Sequence, residues 1–352
     1  MDTIKVGIIG VGGIGQSHLN AYAKNPNFEV VGIAELDGEK ALYASTRWDI
    51  PKVFSNHHEL LEADEIKAVS ICTYHTSHAS LTIDALNAHK HVLVEKPMAT
   101  NTQDAAAMTQ TAEKRGMVLQ VGLQSRFRPE IIEAKRMVSG GILGQIYFAE
   151  SVHTRRRGIP SESFTRKATA SGGAVLDMGV YGLDTALYLM GFPKPVSVSA
   201  MTADYIGTQS GLVTTGGIDG GTQWDPSKFE VEDFGAALIR FDDDAVLMFK
   251  ISWAAHIQSM GESFLLGTKA GLSLNPLTLH RDENGAMVDI AFTNLPKVDT
   301  WQPQMEAFLE AVRSGGPSPV PPNEVMLTNV IMDGIYQSAK EHCEVRVTVP
   351  QV

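Results

Sequence analysis

The segment Ile4-Lys5-Val6-Gly7-Ile8-Ile9-Gly10-Val11-Gly12-Gly13-Ile14-Gly15 decides the fold of the first third of the chain. It begins with an apolar run typical of a buried strand and ends in the pattern GxGxxG, which opens a predicted helix at about 14–24. The N–H groups and the dipole at such a helix start favour a bound pyrophosphate. We therefore predict a dinucleotide site with contacts from Gly10, Gly12, Gly13, Ile14 and Gly15.

An acidic residue stands where this type of site requires one. Glu35 follows the apolar strand 28–34, about 20 residues beyond the glycine loop. A carboxylate there accepts hydrogen bonds from ribose hydroxyls and repels a 2′-phosphate, and Leu36 offers no positive charge to replace that contact. The sequence predicts NAD as cofactor, in preference to NADP. The alternative is a tight turn followed by a solvated glutamate.

Strands and helices alternate through the first third of the chain. Apolar runs at 69–73, 91–94 and 118–121 are separated by helical segments near 76–88 and 101–115. This repetition predicts an α/β fold, a Rossmann doubly wound parallel sheet, as a cofactor domain over residues 1–122.

The pattern changes after residue 122. Longer strand-like runs cluster at 146–153, 196–201, 235–241, 245–253 and 264–274, with a helix at 174–190. We predict an α+β domain at 123–352 with a mostly antiparallel sheet. Its final helix, about 323–341, can pack back on the first domain. Residues 207–226, rich in glycine and threonine, are predicted to form a mobile loop.

Composition excludes several classes of protein. The chain has 29 Lys and Arg against 40 Asp and Glu, a net charge of −11, which disfavours a nucleic-acid partner. No run approaches the roughly 20 apolar residues of a membrane span. The two cysteines, Cys72 and Cys343, are too few for a disulfide framework. Together with the lack of a signal-peptide pattern, this predicts a cytoplasmic location.

Two further motifs carry a resemblance to a known family. Val94-Glu95-Lys96-Pro97 follows the predicted fourth strand, and Gly172-Gly173-Ala174-Val175-Leu176-Asp177-Met178-Gly179-Val180-Tyr181-Gly182-Leu183-Asp184 lies in the second domain. With the glycine loop, they resemble the glucose-fructose oxidoreductase/inositol dehydrogenase/MocA family over nearly the whole chain. The resemblance implies a Rossmann domain, an open-faced sheet domain at 123–352 that binds substrate and forms oligomers, and an active site between them. It also implies a homodimer or homotetramer formed through the second sheet.

The resemblance implies a catalytic trio of Lys96, Asp177 and Tyr181. Lys96 is expected near the nicotinamide and the substrate hydroxyl, and Asp177 is expected to hold the substrate or orient the proton-transfer group. The family usually has histidine four residues after that aspartate, whereas this chain has Tyr181, which leaves the identity of the base open. Spacing i, i+4 on a helix puts Asp177 and Tyr181 on one face. Tyr181 can relay the proton while Lys96 polarises the alkoxide, or neutral Lys96 can itself be the base.

Other residues are expected to line the same site. The resemblance places Thr73, His78 and Glu95 on the cofactor side, and Gln124 and Arg126 in the cleft. From the run 155–157, Arg156 is the arginine we assign to substrate. The pair His75 and His78 has metal-ligand spacing but no third ligand at a supporting distance, so we predict no metal.

These features predict an NAD(H)-dependent oxidoreductase that transfers a hydride to or from a secondary hydroxyl carbon of a sugar, cyclitol or glycoside. Two alternatives stay open. One is a redox-assisted glycosidase, or glycoside 3-dehydrogenase, with tightly bound NAD. The other is a non-catalytic NAD-binding sensor.

Overall fold

The structure, a computed structural model, describes residues 3–213 and 224–352 and divides into two compact units. Residues 214–223 of the predicted loop 207–226 lie outside the described residues. Unit 1 comprises Met1–Gln124, Asp299–Met326 and Gln351–Val352, and unit 2 comprises Ser125–Val298 and Leu327–Pro350. The domain limits 1–122 and 123–352, with the role given to each, stay a prediction.

Unit 1 contains a six-stranded parallel sheet, sheet A, in the order β3-β2-β1-β4-β5-β6. This order, which reverses direction after β1, is that of a Rossmann fold and confirms the predicted doubly wound architecture. The strands are β1 Ile4–Ile9, β2 Phe28–Ala34, β3 Lys52–Phe54, β4 Ala68–Ile71, β5 His91–Glu95 and β6 Leu119–Gly122. The helices are α1 Gly13–Ala23, α2 Gly38–Arg47, α3 His57–Leu61, α4 His78–Asn87, α5 Thr102–Arg115 and, from the later part of the chain, α10 Trp301–Ser314.

The core of unit 1 joins β1, α1 and α10. Val6 and Ile8 of β1 and Leu19 of α1 are fully buried in one cluster with Met305 and Phe308 of α10. Helix α10 was not predicted from the sequence, although it returns to unit 1 from beyond residue 298. The final helix, α11 Pro322–Glu341, is divided at Met326 between the units, so its predicted packing on the first domain stays a prediction.

Unit 2 contains a nine-stranded sheet, sheet B, in the order β14-β13-β12-β11-β7-β10-β9-β8-β15. All pairs are antiparallel except β7 with β10, so the predicted mostly antiparallel sheet is confirmed. Its strands are β7 Ile146–Thr154, β8 Pro195–Ala203, β9 Phe234–Phe241, β10 Val246–Ser252, β11 Met260–Gly267, β12 Ala270–Leu274, β13 Leu277–Glu283, β14 Ala286–Ala291 and β15 Val345–Arg346. Its helices are α6 Pro129–Ser139, α7 Glu162–Thr165, α8 Lys167–Ala170 and α9 Val180–Met190.

The two faces of sheet B differ. Register aligns Val198, Ile239, Leu247, Ala149 and Leu265 across five strands, and all are at most 2% exposed. Helix α9 packs against β7 and β10. The opposite face carries partly exposed apolar side chains: Phe148, Met201, Met248 and Phe264.

The structure adds detail to two sequence-based expectations. The predicted strand 264–274 is a hairpin of β11 and β12, because the chain reverses at residues 268–269, where Lys269 N donates to Leu143 O. The helix predicted at 174–190 begins with a π-helical turn, Val175–Gly179, and becomes α-helical only at Val180. Such turns often occur at functional sites. Within the described parts of the chain, none of the helices combines the length and hydrophobicity that a membrane span requires.

Candidate active site

The glycine loop has the geometry that a dinucleotide needs. Gly10 has a φ of +86°, and a Cβ on Gly15 would lie 2.2 Å from Gly10 O, so larger residues are excluded at both positions. Gly12 and Gly13, at the start of α1, instead face open space. Uncapped backbone N–H groups at this helix start leave room for a pyrophosphate oxygen, so the loop fits the group that the sequence predicts.

Glu35 is joined directly to this loop. Its Oε2 accepts a hydrogen bond from Val11 N at 2.9 Å, and its Oε1 accepts from Asp37 N at 3.0 Å. The following residue, Leu36, is 90% exposed and provides no cation. The carboxylate is therefore fixed at the end of β2, where a ribose would meet a negative charge. This arrangement fits NAD better than NADP.

A buried polar network lies beneath the end of β5. Glu95 is 2% exposed, and its Oε1 lies 2.9 Å from His18 Nε2 while its Oε2 accepts from Lys96 N at 3.2 Å. His18 Nδ1 contacts Ser70 Oγ at 3.1 Å, and Gln124 Nε2 approaches Glu95 Oε1 at 3.5 Å. The network holds the backbone from which the half-buried Lys96 side chain projects. The structure thus gives Glu95 protein partners, and its predicted contact with the cofactor stays a prediction.

His78 joins two loops at the carboxyl ends of sheet A. Its Nδ1 lies 2.7 Å from Pro97 O and its Nε2 lies 3.2 Å from Thr73 O, and the side chain is fully buried. Burial lowers the pKa of this imidazole, and a neutral ring can donate its one N–H to only one of these two carbonyl oxygens. His78 therefore lies between the Thr73 and Pro97 carbonyl groups and donates to one of them. Cofactor contacts by Thr73 and His78 stay predictions.

Asp177 occupies the π-helical turn of unit 2 and is 5% exposed. Its Oδ2 accepts a hydrogen bond from the indole Nε1 of the fully buried Trp253 at 3.2 Å. Burial lowers the pKa of the half-buried Arg155 guanidinium, and the charge of Asp177 opposes that shift, so the two side chains interact electrostatically. A carboxylate held in this way can accept a hydrogen bond from a hydroxyl in a fixed direction.

Tyr181 lies one helical turn after Asp177, in α9, and is half-buried. The helix lies close to sheet B at this point: a Cβ on Gly182 would be only 2.6 Å from Ser151 Oγ. Glycine at 182 therefore allows the backbone next to Tyr181 to lie close to the sheet. That Tyr181 and Asp177 act together on one substrate stays a prediction, as does their cooperation with Lys96, which belongs to unit 1.

The remaining predicted substrate residues have different surroundings. The guanidinium of Arg126 is 4% exposed and makes a bidentate pair with the buried Asp184, at 3.0 and 2.7 Å. The guanidinium carbon of Arg126 also lies 4.9 Å from the ring centre of Tyr188. These contacts are typical of a residue that stabilises the fold. Arg156 is exposed, and its backbone N donates to Ser259 Oγ. Substrate binding by Gln124, Arg126 and Arg156 stays a prediction.

From the sequence, Arg156 rather than Arg155 was assigned to the substrate, and Trp253 was not assigned to the site. Alternate side chains of a strand lie on the same face, so positions 151, 153 and 155 point in the same direction. Because Ser151 faces α9, Arg155 rather than Arg156 is expected to point towards this helix. That parity was available from the sequence, but the position of α9 was not. The contact between Trp253 and Asp177 has no sequence signal, because 76 residues separate them.

One group among the described residues could hold a metal ion, and it does not include His75 or His78. Ligand atoms of His57, His58 and Asp84 lie within 4.8 Å of one another, and His57 Nε2 is 3.0 Å from Asp84 Oδ2. His75 and His78 instead make a ring contact at 5.8 Å between centres. The prediction that the enzyme uses no metal is left as a prediction.

Comparisons with known proteins agree with this geometry. Residues 4–123 match the model of an oxidoreductase family with an NAD-binding Rossmann fold, and residues 131–273 match the GFO/IDH/MocA C-terminal domain. The predictions of an enzyme and of NAD as cofactor are confirmed.

Two relatives and one solved structure illustrate the similarity. D-glucoside 3-dehydrogenase of Escherichia coli is 30% identical over 341 residues, covering 96% of this chain and 95% of that protein. Levoglucosan dehydrogenase of Pseudarthrobacter phenanthrenivorans is 27% identical over 291 residues, covering 78% and 74%. The structure of a levoglucosan dehydrogenase in complex with NADH superposes with a TM-score of 0.86 at 22% identity over 100% of both chains, which shows a shared fold.

Proposed function

Because the chain belongs to the GFO/IDH/MocA oxidoreductase family, as its motifs predicted, we propose that it oxidises a secondary hydroxyl of a sugar ring, with glycosides as the first substrate class. The observation that carries this proposal is the similarity to D-glucoside 3-dehydrogenase over nearly the full length of both proteins. Sugars and cyclitols are the wider class.

The residues around the glycine loop would hold the cofactor. Gly12 and Gly13 leave space for the pyrophosphate, and Glu35 stands at the end of β2 for the adenosine ribose. When bound, NAD supplies the hydride acceptor. The carboxylate at Glu35 and the exposed Leu36 beside it support NAD over NADP.

The proton of the substrate hydroxyl passes to a residue of this chain. In our proposal Tyr181 relays that proton, Lys96 polarises the developing alkoxide, and Asp177 orients the sugar through its fixed carboxylate. A tyrosine has an ordinary pKa of about 10, so a neighbouring ammonium is needed to favour the phenolate. The alternative is that neutral Lys96 takes the proton directly.

The test is a substrate screen with the purified protein. We expect reduced nicotinamide to accumulate with NAD and an alkyl D-glucoside, levoglucosan or myo-inositol, and to accumulate much more slowly with NADP. Release of free sugar from a glycoside without free NADH would favour a redox-assisted glycosidase. Binding of NAD without turnover of any of these compounds would favour a sensor and contradict the proposal.

We also propose a homo-oligomer formed through sheet B. The face opposite α9 carries Phe148, Met201, Met248 and Phe264, each partly exposed. Apolar patches of this kind often mark interfaces between subunits. Light scattering after gel filtration should give a dimer or a tetramer, and Met248→Asp should shift it towards the monomer. The cytoplasmic location stays a prediction.

A further inference from the structure

The residues Glu232 and Asp233 join three parts of unit 2. Glu232 is 8% exposed and Asp233 is 1% exposed, and they directly precede β9. Neither residue belongs to a motif identified in the sequence. The structure places them between the start of the Asp177 turn, the backbone of Trp253 and the segment 206–207.

Glu232 caps the start of the helix that carries Asp177 and Tyr181. Both carboxylate oxygens accept from Gly173 N at 2.9 Å, and Oε1 also accepts from Val175 N at 2.9 Å. The Glu232 carbonyl accepts from Ala174 N at 3.0 Å. A Cβ on Gly173 would lie 1.9 Å from that carbonyl oxygen, which explains why this position of the motif is glycine.

Tyr336 completes the surroundings of the carboxylate. Its hydroxyl donates to Glu232 Oε1 at 2.9 Å, and a Cβ on Gly172 would lie 2.2 Å from the same hydroxyl. Burial raises the pKa of both Glu232 and Tyr336, so the phenol stays protonated and remains a donor. The start of the turn is thus held by one side chain from each of two distant segments.

Asp233 is connected to Asp177 through Trp253, which contacts both residues. Its carbonyl accepts from Trp253 N at 2.8 Å, and the indole of Trp253 donates to Asp177 Oδ2. Glu232 therefore holds the start of the turn that carries Asp177, and Trp253, whose backbone N donates to Asp233, holds the Asp177 carboxylate. Misplacing a catalytic group by about 1 Å can cost about 100-fold in rate.

We infer that Glu232 is a positioning residue for the oxidation, acting on Asp177 and Tyr181 through the start of their helix, with Tyr336 as its partner. This inference rests on the proposed function. It assigns a role to the double glycine of the motif and to a glutamate outside it.

The test compares Glu232→Gln, Tyr336→Phe and a matched control, Glu230→Gln. Glu230 lies two residues away and also accepts from a helix start, at Lys167 N, but it is exposed and does not touch the Asp177 turn. We expect Glu232→Gln to lower kcat by about 10-fold to 100-fold with KM for NAD nearly unchanged. Tyr336→Phe should lower kcat by a smaller factor, and Glu230→Gln should leave it unchanged.

A second readout does not depend on turnover. The chain has four tryptophans, so 5-fluorotryptophan labelling gives four ¹⁹F signals, and Trp253→Phe identifies the relevant one. Glu232→Gln should shift the Trp253 signal, and Glu230→Gln should not. If the wild type oxidises none of the glycosides, sugars or cyclitols, the proposed function fails, while this signal still tests the positioning of Trp253 and Asp177.

The inference is overturned if Glu232→Gln, folded as the wild type, keeps both kcat and the Trp253 signal. If Glu232→Gln does not fold, Tyr336→Phe decides: a lower kcat and a shifted signal support the inference, and unchanged values contradict it.

Discussion

Two buried glutamates, Glu95 in unit 1 and Glu232 in unit 2, contact the backbone at or near the predicted catalytic residues, but different groups surround their carboxyl oxygens. Glu95 faces side chains, with His18 at 2.9 Å and Gln124 at 3.5 Å, and one backbone N–H, that of Lys96. Glu232 faces the backbone N–H groups of a helix start and the hydroxyl of Tyr336.

The difference lies in the groups that surround each carboxylate. The partners of Glu95 are mostly side chains, which a substitution can remove one at a time. The partners of Glu232 include backbone N–H groups at a helix start, which a change of side chain does not remove. The support beneath Lys96 in unit 1 is therefore built mainly from side chains, whereas the support at the start of the Asp177 turn in unit 2 is built mainly from backbone groups.

The largest effect is expected at Lys96 itself. In the proposed mechanism, Lys96→Ala removes the ammonium that would polarise the alkoxide, and a positioned proton-transfer group contributes about 10²-fold to 10⁴-fold. We expect kcat to fall by about 10³-fold while NAD still binds, as measured by quenching of protein fluorescence. The exposed Lys114 provides the control, and Lys114→Ala should match the wild type. Near-normal turnover by Lys96→Ala would contradict both assignments of the base.

The support of unit 1 is tested by Glu95→Gln. This change leaves His18 Nε2 opposite an amide and weakens the hold on Lys96 N, so we expect kcat to fall by about 10-fold. We also expect the free energy of unfolding in urea to fall by about 1–3 kcal/mol. Glu113→Gln, at an exposed position of α5, should change neither quantity. If His18 acts on Lys96 through Glu95, as the contacts of this network indicate, His18→Gln should add little to the effect of Glu95→Gln in the double variant.

Cofactor choice is tested at Glu35, which belongs to unit 1 but not to this network. Glu35→Ser removes the acceptor for the ribose and the charge that repels a 2′-phosphate. We expect KM for NAD to rise about 10-fold and the preference for NAD over NADP to fall by a similar factor. Steady-state kinetics with both cofactors measures this, and an unchanged preference would show that another residue selects NAD.

The last prediction concerns stability rather than catalysis and is made at Asp233, beside Glu232. Burial raises the pKa of this carboxyl to about 6, although Ile206 N and Gly207 N donate to it. The folded state therefore holds a proton that the unfolded chain has lost, and this contribution to stability is lost as pH rises from about 4 to about 6. Asp233→Asn should remove it, so the variant should gain stability relative to the wild type over that range, on the order of 2 kcal/mol. Urea unfolding at pH 4.5 and pH 7 checks this, and a constant difference would contradict the assignment.

Much of unit 1 could be predicted from sequence because its signals are local. The strand, the glycines and Glu35 stand close together in the chain, and the strand order follows from short crossovers. Helix α10 could not be assigned to this unit, since it lies almost 180 residues beyond β6 and contributes Phe308 to the core. Neither chain distance nor an apolar face indicates which core a helix joins.

The candidate site of unit 2 was only partly predictable. Asp177 and Tyr181 stood out by their motif, but their supports come from Glu232, Trp253 and Tyr336, which are more than 50 residues away. Motif spacing identifies the residues that carry chemistry. It does not identify the contacts that hold them, because those depend on how the strands pair.

The most direct test follows the hydrogen itself. A glucoside deuterated at the oxidised ring carbon is incubated with NAD and the wild-type protein, and the reduced nicotinamide is analysed by mass spectrometry. Direct hydride transfer predicts one deuterium in each molecule of reduced cofactor formed, and hardly any reduced cofactor with Lys96→Ala. Reduced cofactor without deuterium, or none with any deuterated sugar, cyclitol or glycoside, would contradict the account.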